Sequence, residues 1–159
     1  MTRLKTLIAA ATLALGSVAN AASAGNEAIV QAFYDLLSNP GSATHVEAFK
    51  NATSENWESI GNYSGTNKMR DQFLGQMGGF AKLMPDLNWA VQDMISAGDT
   101  VVVRSRATAT PAGPLFGVDG QGRGFDILTI DIHHLEDGKI VRTYHVEDWA
   151  GALQQLKGM

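Results

Sequence analysis

The chain of 159 residues is 45% hydrophobic and 18% charged, with a net charge of −4. That balance suits one compact domain rather than a disordered or fibrous chain. There is no basic tract and no basic stripe interleaved with aromatics, so nucleic acid is not an expected partner. The lack of cysteine excludes disulfides, thiolate nucleophiles and thiolate metal sites.

Arg3 and Lys5 precede an apolar run from Leu7 to Val18, which falls short of the ~20 residues a membrane span needs. Ala19-Asn20-Ala21 then puts small residues at the alternate positions a signal peptidase reads. The pattern predicts a secretory signal peptide over residues 1–21, with cleavage possible up to residue 24. The expected product is exported, periplasmic or secreted, with no stable membrane insertion once the signal is gone. Its removal takes away two cations and moves the net charge from −4 to −6. A single domain is expected over residues 26–156.

Within it, Ile29, Val30, Phe33, Leu36 and Leu37 form one apolar helix stripe, stopped by Asn39-Pro40-Gly41. A short helix is expected from Thr44 to Lys50. The stretch from Thr53 to Gly65 holds Trp57 and Tyr63 among polar residues and reads as a loop. Thr66 is the expected cap of a third helix carrying Met69, Phe73, Met77 and Phe80 on one side, and Pro85-Asp86 ends it. The period then turns to alternation. Strands are expected at Leu87 to Ile95, Thr100 to Thr110, Phe125 to Leu135 and Lys139 to Glu147. Turns fall at Gly98-Asp99 and Asp137-Gly138, and a glycine-rich loop spans Pro111 to Gly124. No Lys-Ser/Thr pair follows those glycines, so they are not a phosphate loop. A helix from Trp149 to Leu156 closes the chain, with Asp148 as its expected N-cap. Helices first, then about four hairpin-linked strands, then one helix indicate an α+β fold: a curved antiparallel sheet packed against helices, with room for a pocket between the layers.

The last two strands hold the candidate chemistry. Ile127, Thr129, Asp131 and His133 share one face, and Leu128, Ile130 and Ile132 the other. On the next strand Val141, Thr143, His145 and Glu147 share a face. A three-residue loop, Glu136-Asp137-Gly138, would pair Leu135 with Lys139 and align like faces. Asp131 and His145 would then lie diagonally on one mixed face, ~7 Å apart at Cβ. Such a pair fixes the imidazole tautomer and can move a proton near neutral pH. Alternatively, the mixed face is simply the wet side of the sheet. Glu147 reads as a rim charge. Adjacent His133 and His134 point to opposite faces, so a metal site is not expected. No Gly-x-Ser-x-Gly elbow is present.

The segments MPDLNWAVQDMISAGDTVVVRSRATAT and FDILTIDIHHLEDGKIVRTYHVEDWAGALQQL resemble the SnoaL-like polyketide cyclase (ester cyclase) family of the nuclear transport factor 2-like superfamily. The resemblance covers about Asn26 to Leu156. It implies a cone of sheet and helices around an apolar pocket, commonly in a homodimer, and ring closure in a polyketide ester without metal or organic cofactor. It also implies an acid/base group on the last strand and a partner on the strand before, which fall at His145 and Asp131. In the family the last-strand group is typically Asp and the partner can be His, so the two types are exchanged here. The expected function is cofactor-free acid/base chemistry (cyclisation, isomerisation or hydrolysis) on a small hydrophobic carbonyl compound. His145 and Asp131 would be catalytic, with Phe33, Tyr34, Trp57, Tyr63, Trp89 and His133 lining the pocket. Each of those aromatics could equally be core. The alternative is a non-catalytic periplasmic binding protein for a small hydrophobic ligand, or a structural dimer module with a filled cone.

Overall fold

The computed structural model describes residues 12–159, with side-chain environments from residue 24 onward. The expected signal peptide, residues 1–21, lies outside the residues whose side chains are described. Among the described residues no helix is long and apolar enough to cross a membrane.

Helix α1 (Thr12–Ser38) contains the expected helix from residue 26 and continues back through an alanine-rich stretch of high helix propensity. Helix α2 (Ala43–Ala52) is capped by the Ser42 hydroxyl, which accepts from the His45 N–H. Residues 53–60 are not a loop but strand β1 (Thr53–Ile60), followed by a two-residue strand β2 (Lys68–Met69). Thr66 is not the cap of the next helix. Helix α3 (Arg70–Leu83) has Met69 at its N-cap, where the Gln72 side chain accepts from the Met69 N–H. Strands β3 (Asn88–Ala97), β4 (Thr100–Ala109), β5 (Phe125–Glu136) and β6 (Lys139–Glu147) and helix α4 (Trp149–Lys157) follow the expected order.

The fold is α+β, with six strands rather than about four, in the order β2-β1-β6-β5-β4-β3. All pairings are antiparallel except β1 with β6, which run parallel. Strand β1 carries no hydropathy alternation because its sequence, TSENWESI, buries Trp57, Ser59 and Ile60 among charged and polar neighbours. Register shifts interrupt β3/β4 at Val91/Asp93, β5/β6 at His134/Leu135 and β1/β6 between Thr53 and Glu58. Such irregularities bend strands and help wrap the sheet around the helices.

The β5/β6 turn also differs from expectation. Leu135 pairs with Ile140 and Glu136 with Lys139, so the loop is the two-residue Asp137-Gly138. Both residues have positive φ, 49° and 72°, as a type I′ turn requires. The bulge beyond it shifts the register by one residue, and Asp131 then sits directly opposite His145 rather than diagonally.

The sheet faces are inverted relative to hydropathy. The mixed face carrying Ile127, Thr129, Asp131 and His133 is buried beneath the helices, whereas Leu128, Ile130 and Ile132 are exposed. Phe33, Phe49, Trp57 and Phe73 form an aromatic core between α1, α2, α3 and β1, with ring centroids 5.0–6.0 Å apart.

At the other end of the chain, Asp148 caps α4 as expected, its Oδ1 accepting from the Gly151 N–H at 2.8 Å. Asp148→Ala should lower the stability of the fold by about 1 kcal/mol, read as a reduced urea midpoint with an unchanged slope.

Candidate active site

The centre of the buried sheet face is a polar chain inside an apolar shell. Tyr34 of α1 donates its hydroxyl proton to Asp131 Oδ2 at 2.8 Å and lies 2.9 Å from His133 Nε2. His133 Nδ1 is 3.0 Å from the Thr143 hydroxyl, which accepts from Trp57 Nε1 at 3.0 Å. Tyr34 sets the tautomer. Its only proton goes to Asp131, so its oxygen can meet His133 Nε2 only as an acceptor, and the ring carries its proton there. His133 Nδ1 is then bare and accepts from the Thr143 hydroxyl, whose oxygen accepts from Trp57. The chain runs in one direction, from indole to carboxylate, and ends on Asp131.

Burial acts on each ionisable member. It pushes the Asp131 carboxyl up to about 7; the Tyr34 hydrogen bond pulls the other way, the Glu147 charge adds to the rise and His145 opposes it. Burial drives the His133 imidazole down to about 3, with His134 and His145 adding to the fall. Burial also lifts the Tyr34 phenol well above its usual range, reinforced by Asp131.

Asp131 faces a cavity of about 60 Å³ lined by Phe33, Leu37, Phe73, Met77, Phe80, Trp89 and Trp149 and, on its polar side, by Ser59, Lys68, Gln76, His145 and Glu147. An outer vestibule of about 300 Å³ shares Ser59, Lys68, Gln76, His145, Glu147 and Trp149 with it. Lys68 Nζ donates to Gln76 Oε1 at 3.0 Å at the neck between them. The Phe116 ring stands over Trp149 at the vestibule edge, 5.4 Å between centroids.

His145 is held separately from Asp131. Its Nδ1 is 2.8 Å from Glu147 Oε1 and its Nε2 is 3.0 Å from Ser59 Oγ. Glu147 is thus no rim charge: only 16% of its side chain is exposed. A Cβ on Gly61 would lie 2.8 Å from His145 Cε1 and 3.0 Å from Nε2. Only glycine leaves the ring its place there.

The structure brings together Phe33, Trp89, Asp131 and His145 at the cavity wall. Tyr34 and His133 stand one layer behind, bonded to Asp131 and to each other. Trp57 is fully buried in the core, and Tyr63 is 94% exposed, away from the cavity. Ser59, Lys68 and Gln76 were not found from sequence. Ser59 lay in the stretch read as a loop, and the other two carry no motif. Among the described residues no three His, Asp or Glu side chains converge closely enough to hold a metal ion.

Residues 27–156 match the SnoaL-like polyketide cyclase family. The chain belongs to that family. Solved structures agree on the fold. IdmH from Streptomyces antibioticus, a candidate polyketide cyclase, is 23% identical, with a TM-score of 0.71 over 83% of this chain and 98% of its own. A candidate SnoaL-like cyclase from Jannaschia sp. CCS1 is 19% identical, with a TM-score of 0.74 over 87% and 95%. An LEH-like epoxide hydrolase from M. tuberculosis is 10% identical, with a TM-score of 0.64 over 86% and 92%. No curated protein matches this SnoaL-like chain.

The two buried groups make opposite demands on pH. From about 4 to 7 the unfolded Asp131 carboxyl ionises while the folded one keeps its proton, so stability falls as pH rises. From about 6.5 down to 3 the unfolded His133 ring takes a proton that the folded one refuses, so stability falls as pH drops. Between about 4 and 6.5 the two nearly offset. Asp131→Asn removes only the first. Its unfolding free energy should climb across that interval more steeply than the parent's, by up to ~1.4 kcal/mol per pH unit, in urea titrations at several pH values.

Proposed function

We propose that this SnoaL-like protein catalyses cofactor-free proton transfer on a small hydrophobic carbonyl compound, by cyclisation or isomerisation. The observation that carries the reading is Asp131: a carboxyl buried on an apolar cavity wall, bonded to Tyr34 and poised near pH 7. A group half-ionised at neutral pH serves as base and then as acid without a large penalty either way. The role of Asp131 therefore differs from the sequence expectation, in which it served His145. Here it removes a proton beside the carbonyl and returns it elsewhere on the ligand. As the charge leaves it, Tyr34 and the His133-Thr143-Trp57 chain behind it hold its geometry. Phe33, Trp89 and Trp149 exclude water from the exchange.

The test is deuterium incorporation from D₂O at the carbon beside the carbonyl in a panel of small apolar ketones, followed by NMR. Incorporation should require the ionised carboxyl and rise with pH through about 7. It should fall at least ~100-fold in Asp131→Asn. A parent that binds these ketones without exchanging them supports the alternative, a binding protein for the same ligands.

We also propose that the protein is a homodimer joined through the exposed sheet face, and that it is exported. Leu128, Ile130, Ile132 and Val146 are exposed at the centre of that face. The ion pairs Arg104–Asp93, Arg106–Asp126 and Arg142–Glu58 flank them, so the face presents balanced charge to a second copy. Ile130→Asp should turn a dimer into a monomer in light scattering, and a parent that is already monomeric overturns the assignment. Export is supported by the basic start, the short apolar run and the Ala-Asn-Ala site; the N-terminus of protein recovered from the periplasm tests it.

A further inference from the structure

Asp131 does not use Ser59, His145 or Glu147, yet the three form a connected line along the neck of the cavity. Glu147 Oε1 accepts from His145 Nδ1 at 2.8 Å, and His145 Nε2 stands 3.0 Å from Ser59 Oγ. A carboxylate can only accept, so Nδ1 bears the neutral ring's proton and Nε2 is left to accept from the serine hydroxyl. That is the arrangement of a nucleophile, its base and the group that orients the base, recognised by geometry and not by sequence position.

Its surroundings fit the same use. Ser59 is 3% exposed and His145 and Glu147 are 14% and 16% exposed at the side chain, yet all three line both the cavity and the vestibule. The parallel pairing of β1 with β6 sets Ser59 opposite Thr143, which brings His145 diagonally over it. The missing Cβ of Gly61 gives the ring its position. Lys68 Nζ and the Gln76 amide put N–H donors on the same wall, their mutual bond using the Gln76 carbonyl. Donors there can meet the oxygen of a carbonyl attacked by Ser59.

We infer that Ser59, His145 and Glu147 form a nucleophilic relay that hydrolyses small hydrophobic esters through an acyl-serine. Ser59 Oγ bonds to the ester carbonyl carbon while its proton passes to His145 Nε2. The tetrahedral adduct collapses, the bond to the alkoxy oxygen breaks, and His145 returns the proton to that oxygen as the alcohol leaves. Water then attacks the acyl carbon and gives a proton to His145. The carbon–Oγ bond breaks, Ser59 takes the proton back, and a carboxylic acid is released. No oxidant, reductant or metal enters the balance. The inference extends the proposed proton-transfer reading, sharing its cavity but not its acid/base group.

The experiment is labelling of the mature protein with a small alkyl fluorophosphonate, read by intact mass and peptide mapping, beside hydrolysis of p-nitrophenyl acetate and butyrate. One adduct on Ser59 is expected. Ser59→Ala should abolish it, and His145→Gln should slow it at least ~100-fold. Glu147→Gln should slow it less, ~10-fold or more, and Gly61→Ala should slow it by displacing the ring. Circular dichroism and a melting curve on each variant separate a lost relay from a lost fold. Absence of an adduct in the parent, an adduct elsewhere, or labelling indifferent to His145→Gln overturns the relay. Ketone exchange scored in parallel keeps the two readings apart, because it depends on Asp131 and not on Ser59.

Discussion

The hydroxyl of Tyr34 ties helix α1 to the middle of the sheet, giving its proton to Asp131 while its oxygen takes the Nε2 proton of His133. The same contact satisfies two polar groups that burial would otherwise penalise by several kcal/mol. Remove it and Asp131 and His133 are left facing each other under an apolar roof. The chain of bonds back to Thr143 and Trp57 makes the constraint cooperative. It fixes the tautomer of His133 and the orientation of the Asp131 carboxyl. It also fixes the spacing between α1 and strands β5 and β6. The cavity lies beside this chain, where Asp131 shares a wall with Phe33 and Leu37 of α1 and Phe73 and Met77 of α3.

Much of the fold could be read from the sequence because most elements have clear periods and clear ends. Helix α1 from residue 26, the four strands β3 to β6, the Gly98-Asp99 turn and the Asp148 cap all carry ordinary hydropathy or capping signals. Strand β1 does not. Its buried positions are Thr53, Trp57, Ser59 and Ile60, separated by Glu55, Asn56 and Glu58. An edge-proximal strand that feeds polar groups into a site has no hydrophobic alternation to display. Missing it meant missing Ser59, and with Ser59 the second partner of the His145 ring.

The inverted faces have a related cause. Hydropathy ranks Leu128, Ile130 and Ile132 above Thr129, Asp131 and His133, so a reader places the first set inside. The protein buries the second set because each polar atom there finds a partner: Thr129 from Trp89, His133 from Thr143, Asp131 from Tyr34. Those partners lie 10 to 97 residues away in sequence, so no local pattern announces them. The Asp131 and His145 positions were legible as a same-face pair, but their bonding was not. A single bulge at His134/Leu135 decides the register, and the Glu147 contact decides where the imidazole points.

The parallel contact between β1 and β6 has a temporal consequence. It joins residues near 59 to residues near 143, so it forms only after almost the entire chain is present. Pairings of such long separation are slow to close. A nascent chain holds Ser59 on a strand whose neighbour has yet to arrive, with no imidazole beside it. The reactive hydroxyl stays inert until β6 docks. Maturation of the neck is thereby coupled to completion of the sheet, and a molecule truncated before Thr143 carries the nucleophile without its base.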